Sequence, residues 1–221
     1  MTSLCAPLAA DTLPAAAPLD LAALVGPAGW ARLPAAVRRR FGVAHADATY
    51  LGRLDLRCSP VGRVFAALGR AFGKPLAAVN AAAIPATVRV HADGRGGVVW
   101  ERRFHCDPAN DHLVRSTKEL GAEGRLRERV AGGLGMALDV FEDAGSLVFQ
   151  SRHFVLIFGR VSVRVPALLA PGTCRVVHTD LGDGLFRFDL DMVHPLWGHT
   201  FHQSGVFTDP VVDATAQGGA Q

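Results

Sequence analysis

The sequence has little lysine, tyrosine or cysteine, and no long apolar run. Lys74 and Lys118 are the only lysines among 23 basic residues; the rest are arginine. With the load of Ala, Gly and Val, this bias reads as GC-rich coding rather than as a functional surplus of arginine. Cys5, Cys58, Cys106 and Cys174 stand alone, without a C-x-x-C pair or metal-ligand spacing. They read as small buried hydrophobes in a reducing compartment. No basic residue precedes Arg32, and Asp11, Pro14 and Pro18 interrupt the early apolar stretch, so a secretory leader is not expected. No stretch reaches the roughly 18 uncharged apolar residues of a membrane span. The expectation is a cytoplasmic chain with no transmembrane segment. A net charge of +3 is too small to point to nucleic acid.

Motifs of the common catalytic folds are missing too. Ser116, Ser151 and Ser204 lack a G-x-S-x-G elbow. Gly94-Arg95-Gly96-Gly97 and Gly132-Gly133-Leu134-Gly135 lack the G-K-[ST] of a phosphate loop. The first joins two expected strands rather than a strand and a helix, which also removes a Rossmann reading. No catalytic residue, cofactor or metal site is assigned on these grounds.

What is present is ample apolar material. With 221 residues and 49% hydrophobic content, one domain can bury a sizeable core without metal or disulfide support. Residues 1–18 read as a disordered lead, 19–209 as a single domain and 210–221 as a disordered tail. Asp20 is placed to cap a short helix to Val25, and a second short helix is expected over Ala35–Phe41. Ala48–Cys58 alternates as a strand. Val61–Phe72 has the best helical pattern, with Val64, Leu68 and Phe72 on one apolar stripe.

From Pro85 to Asp209 the period falls to two. Hairpins are expected around Asp93–Gly97, Asp143–Ser146 and Gly182–Gly184. Arg125–Val130 reads equally as a strand or a helical turn. The fold class is therefore α+β: N-terminal short helices followed by a curved, largely antiparallel β-sheet of about eight strands. A meander of that size curls toward a half-barrel or a barrel.

Several segments carry a family resemblance. Trp100-Glu101-Arg102-Arg103-Phe104 is similar to a W-x-R-x-F strand, with Arg115-Ser116 and Glu128 following it. Val165–Pro171 is similar to a P-x-x-L-x-P turn, and Phe188-Asp189 and Pro195-Leu196-Trp197-Gly198 match two later landmarks. In this order the segments resemble the bacterial domain of unknown function 4166, over roughly Val25 to Phe207. Phe201–Gly205 lengthens the closing strand of that pattern, so the chain reads as a divergent member. The resemblance implies no known reaction. It implies an oxidoreductase-like partner, since the domain occurs alone or behind saccharopine-dehydrogenase-like or short-chain-reductase-like domains.

Arg102 is the most informative residue. Alternation puts Val98, Trp100, Arg102 and Phe104 on one face, so an inward face would hold a guanidinium in an apolar layer. A buried charge needs a partner, and Glu128 fills that role if Arg125–Val130 is a strand. A structural ion pair, or a strand that faces the other way, explains this pattern more simply than a ligand anchor does. On the second reading, the sheet holds a small apolar or amphipathic ligand by its acidic head at Arg102. Trp100, Phe104, Glu128, Phe149 and Phe188 then complete the binding set.

The rival reading is an enzyme using His194 or His199 with Asp189 or Asp191. His199 and His202 are three apart, which on a regular strand sends them to opposite faces. They and His178 are expected as rim and surface histidines. A third reading is a structural interaction domain serving an oxidoreductase, for which an exposed apolar patch is expected.

Overall fold

The computed structural model describes residues 18–42, 47–73, 75–106, 111–121, 123–130, 132–158 and 161–210. The lead and tail expected at the termini fall almost wholly outside these residues. Eleven strands dominate: β1 (Ala48–Cys58), β2 (Ala81–Ala92), β3 (Val98–Phe104), β4 (His112–Leu120), β5 (Leu126–Val130), β6 (Leu134–Asp143), β7 (Ser146–Phe158), β8 (Val161–Val165), β9 (Thr173–Gly182), β10 (Leu185–His194) and β11 (Gly198–Thr208). The helices are few and short: α1 (Leu21–Val25), α2 (Pro27–Arg32), α3 (Ala35–Phe41) and α4 (Pro60–Gly69). The architecture is thus mostly antiparallel β.

All neighbouring strands pair antiparallel in the order β6-β5-β4-β3-β2-β1-β11-β10-β9-β7-β8, and β6 also pairs with β7. That extra pairing closes ten strands into a barrel. β8 lies outside the ring, on the C-terminal half of β7. The strand read at Ala48–Cys58 is what completes the ring. β1 bonds β2 on one side and the last strand, β11, on the other, so the meander from Pro85 does not close on itself. Closure removes the unpaired backbone of an open edge.

The alternation sends one face of each strand inward. Tyr50, Leu54 and Leu56 of β1, Phe186, Leu190 and Met192 of β10, and Phe201 and Phe207 of β11 are all buried. Each hairpin turn has a local cause. At the β2–β3 turn, Asp93 Oδ1 accepts from the Arg95 and Gly97 amides at 2.7 and 2.8 Å. Gly94 and Gly96 there take positive φ, which other residues adopt only with strain.

Helices plug the two ends. α1 to α3 cover the end holding the β2–β3, β6–β7 and β9–β10 turns, where Leu19 N donates to Gly96 O at 2.8 Å. α1 is capped as expected, with Asp20 Oδ1 accepting from Ala23 N at 3.1 Å. α2 was not expected: Gly26 closes α1 as its C-cap, and Pro27 at once opens a second helix, since proline suits a first helical turn.

α4 crosses the opposite end, and here the sequence expectation is overturned. Val64 and Leu68 face outward, while Gly62, Ala66 and Gly69 face the barrel. The reason is distance. A Cβ at Gly62 would clash with the Thr200 carbonyl and press on Cys58 Sγ, so only the small-residue face can approach β11. No helix among the described residues is long and apolar enough to cross a membrane.

Candidate functional site

Strands β3, β4 and β5 carry a charged cluster into the barrel. Val88 of β2 faces Arg102, Arg102 faces Val114, and Lys118 faces Glu128 across the ladder. Residues 126–130 form a strand, and Glu128 points inward between Leu126 and Val130. Glu128 Oε1 lies 3.2 Å from Arg102 Nη2, and its Oε2 lies 3.0 Å from Lys118 Nζ. Arg102 Nη2 also donates to Ser116 Oγ at 2.6 Å. Lys118 Nζ sits 4.8 Å from the centre of the Trp100 ring and 5.2 Å from that of Phe149. All three charged side chains are largely removed from water.

Burial is the strongest influence on both Glu128 and Lys118, and it opposes charge on each. For Glu128 the attraction of Lys118 and Arg102 and the nearby hydroxyl overcome it, holding the carboxyl at about 2. For Lys118 the balance goes the other way, and burial lowers its pKa despite Glu128. Burial, aided by Glu128, pushes the Cys174 thiol up to about 12, which makes it a packing group and not a nucleophile. His178 is buried against Phe41, Trp100, Phe149, Phe186 and Phe188. Burial, with three nearby cations, holds it well below its ordinary pKa, so the ring is neutral.

Two cavities meet at this cluster. The larger, of about 70 Å³, is bordered by Arg102, Lys118, Glu128, His178 and Gln203, with Pro75, Leu76 and Pro171 at the α4 end. The smaller, of about 30 Å³, lies toward α3 and shares Trp100, Arg102, Phe104, His178 and Phe188 with it. Arg102, His178 and Gln203 line the larger space, and the buried Arg102 Nε, His178 Nδ1 and Gln203 Oε1 make no hydrogen bond to protein.

Of the residues expected in a binding set, the structure brings Arg102, Trp100, Phe104, Glu128 and Phe188 to the cavities. Phe149 stands behind Lys118 and His178 rather than on the cavity wall. Lys118, Ser116, His178 and Gln203 were not singled out as site residues. The two-residue period already put Ser116 and Lys118 on the face of Val114, and His178 on that of Cys174, so faces read strand by strand would have found them.

Arg40 belongs to the other end. Its guanidinium lies over Phe186 at 4.2 Å and bonds Asp209 and Asp180 at 2.6 and 3.1 Å. Arg38 and Arg39 of the same helix are exposed, so Arg40 alone of the three consecutive arginines is drawn in.

The histidines also depart from expectation. His178 and His194 are buried, not peripheral. His199 and His202 both reach Asp191, with Nδ1 to Oδ1 distances of 3.4 and 2.8 Å. A register shift at Met192/Val193 leaves Thr200 as an extra residue in β11. That bulge cancels the odd spacing and turns both rings to one side. The trio opens onto a surface groove beside Cys58 and Ser59. Ser59 Oγ is engaged in capping α4, accepting from Gly62 N at 3.1 Å, and burial raises the Cys58 thiol pKa. No group of three His, Cys, Asp or Glu among the described residues is placed to hold a metal ion.

Fold and site together define a class: a closed ten-stranded antiparallel barrel with a charged cluster inside. The particular family follows from comparison. A family model described as Domain of unknown function (DUF4166) matches residues 33–207, and the chain belongs to that family. No curated protein matches the chain.

Proposed function

We propose that the barrel is a binding module for a small ligand with an anionic head and a short apolar body. The observation that carries this reading is that three residues lining one cavity each hold a buried polar atom without a protein partner. Buried polar groups in native proteins are nearly always hydrogen-bonded, and Arg102 Nε, His178 Nδ1 and Gln203 Oε1 have no protein partner. With Lys118 protonated, Arg102, Lys118 and Glu128 sum to one excess positive charge. A carboxylate accepting from Arg102 would satisfy a donor and balance that charge at once. The walls beyond it are Trp100, Phe104 and Phe188, which suit an apolar body. Size limits the ligand. About 70 Å³ is small beside the roughly 300–1,000 Å³ of ordinary small-molecule pockets. A longer amphipath would have to displace the Pro75-Leu76 segment.

Calorimetric titration with straight-chain carboxylates from butyrate to decanoate, against alcohols of equal length, tests the proposal. Carboxylates should bind more tightly than alcohols, and Arg102→Met should remove that preference while the fold survives. Equal affinity for acid and alcohol sinks it.

The second reading, an enzyme built on the exposed Asp191–His199–His202 trio, has geometry in its favour. It lacks a free nucleophile, because Ser59 is a helix cap and Cys58 a buried thiol. The oxidoreductase-serving role rests on the family resemblance and on exposed apolar side chains such as Leu68, Leu196 and Trp197.

A further inference from the structure

We propose that the α4 end of the barrel docks on the surface of an anionic phospholipid bilayer. Strand polarity brings six connections to that end: β1–β2, β3–β4, β5–β6, β7–β8, β8–β9 and β10–β11. Large apolar side chains stand out from four of them, all but β3–β4 and β5–β6. Val64 and Leu68 on α4, Phe158 before β8, Leu169 before β9, and Leu196 and Trp197 before β11 are each 50–70% exposed. Those of α4, β8–β9 and β10–β11 adjoin one another. Phe65 of α4 lies 6.0 Å from the Trp197 ring, His194 stacks on Trp197 at 4.2 Å, and His194 Nε2 lies 3.4 Å from the Leu168 carbonyl. The outward stripe on α4 is thus not a failed core face but part of a larger apolar end.

Charge decides what such an end would meet. The segments 59–80, 158–172 and 193–199 contain no Asp or Glu and five Lys or Arg, while the β3–β4 connection, 105–111, adds Asp107 and Asp111. Arg63, Arg70 and Arg164 are exposed, and none forms a salt bridge among the described residues. Asp111 pairs with Arg103 and His105, and Asp191 with His199 and His202. The opposite end differs. Its turns carry Asp93, Glu119, Glu142, Asp143, Asp180 and Asp183.

Protruding Trp, Phe and Leu beside Arg63, Arg70 and Arg164, which form no salt bridge among the described residues, fit a bilayer interface. Tryptophan favours that depth, and each basic residue gains attraction to anionic lipid. A flat protein partner would call for apolar groups level with a mixed polar rim. The Pro75-Leu76 and Pro171 floor of the larger cavity belongs to the same end, so docking would bring the ligand space to the bilayer. The docking itself does not depend on that ligand.

Vesicle flotation of the full chain tests this. Vesicles of phosphatidylcholine and phosphatidylglycerol in equal parts should carry the protein up the gradient. Binding to phosphatidylcholine alone should be at least about tenfold weaker, and raised salt should weaken the first. Leu196→Ser with Trp197→Ser should lower affinity for the mixed vesicles about tenfold or more, as should Arg63→Glu with Arg164→Glu. Leu51→Ser, an exposed change on the outer wall near the other end, should leave binding unchanged. Arg102→Met should also bind vesicles normally, which separates this result from interior ligand binding. Tryptophan emission should shift blue on binding, and less so without Trp197. Absence of flotation, or flotation indifferent to the Leu196/Trp197 change, overturns the proposal. So does a concentration-dependent dimer that this change abolishes, without vesicle binding, because the face would then contact a second copy.

Discussion

Glu128→Gln tests the charged cluster directly. Glutamine keeps the size of the side chain and removes its charge, leaving Arg102 and Lys118 as two buried cations with no anion between them. Breaking a buried ion pair by deleting one partner typically costs about 3–5 kcal/mol. Lys118 can shed its proton, since burial already lowers its pKa, which moves the expectation to the lower end of that range. The carboxyl's own titration leads to a similar figure. Glu128 goes from 4.5 in the open chain to about 2 in the fold. At about 1.4 kcal/mol per unit that is worth about 3 kcal/mol. Because the folded value is depressed, this stability is complete above pH 4.5 and is lost as pH falls toward 2. Urea unfolding followed by circular dichroism should show the variant about 3 kcal/mol less stable at pH 7, with a Tm roughly 6–12 °C lower. The gap to wild type should close on acidification through the same window. A gap under about 1 kcal/mol at pH 7, or one that does not narrow in acid, would refute the reasoning. Adding Lys118→Met should recover part of the loss, since one cation leaves with the anion.

Gly62→Val should destabilise by about 1–3 kcal/mol in thermal unfolding, because its side chain meets the Thr200 carbonyl, which cannot move without breaking β11; an unchanged Tm would contradict the close approach of α4. Cys174, with its thiol held up to about 12 and no exposure, should resist alkylation at pH 8 in the folded protein and react in urea, as read by intact mass. Carboxylate affinity in the barrel should fall as pH rises toward the lowered pKa of Lys118, at less alkaline pH than an ordinary lysine would require; titration at several pH values checks this, and a flat profile would remove Lys118 from the binding set.

How far the sequence reached is best judged strand by strand. The two-residue period placed the strands from β2 onward except β5, which it left open between strand and helical turn, and the inward face of Val98–Trp100–Arg102–Phe104 was readable because a sheet sends alternate residues to opposite sides. Glu128 followed once residues 126–130 proved to be a strand. His199 and His202 were misjudged for the same reason: the rule assumes a regular strand, and the bulge at Thr200 breaks it. The α4 stripe failed differently. Helical periodicity identifies an apolar face but not which surface approaches it, and Gly62 against Thr200 turned the face outward.

Local pattern therefore determined the strands, the hairpins and the presence of an unusual inward arginine, because these depend on spacing along one segment. Tertiary structure alone decided that β1 would join β2 to β11 and close the ring, and that Lys118 would share Glu128 with Arg102. It also decided that the apolar stripe of α4 would face out beside Trp197. Each of these is a meeting of residues far apart in the chain, set by which surfaces can approach and not by the pattern of any one segment.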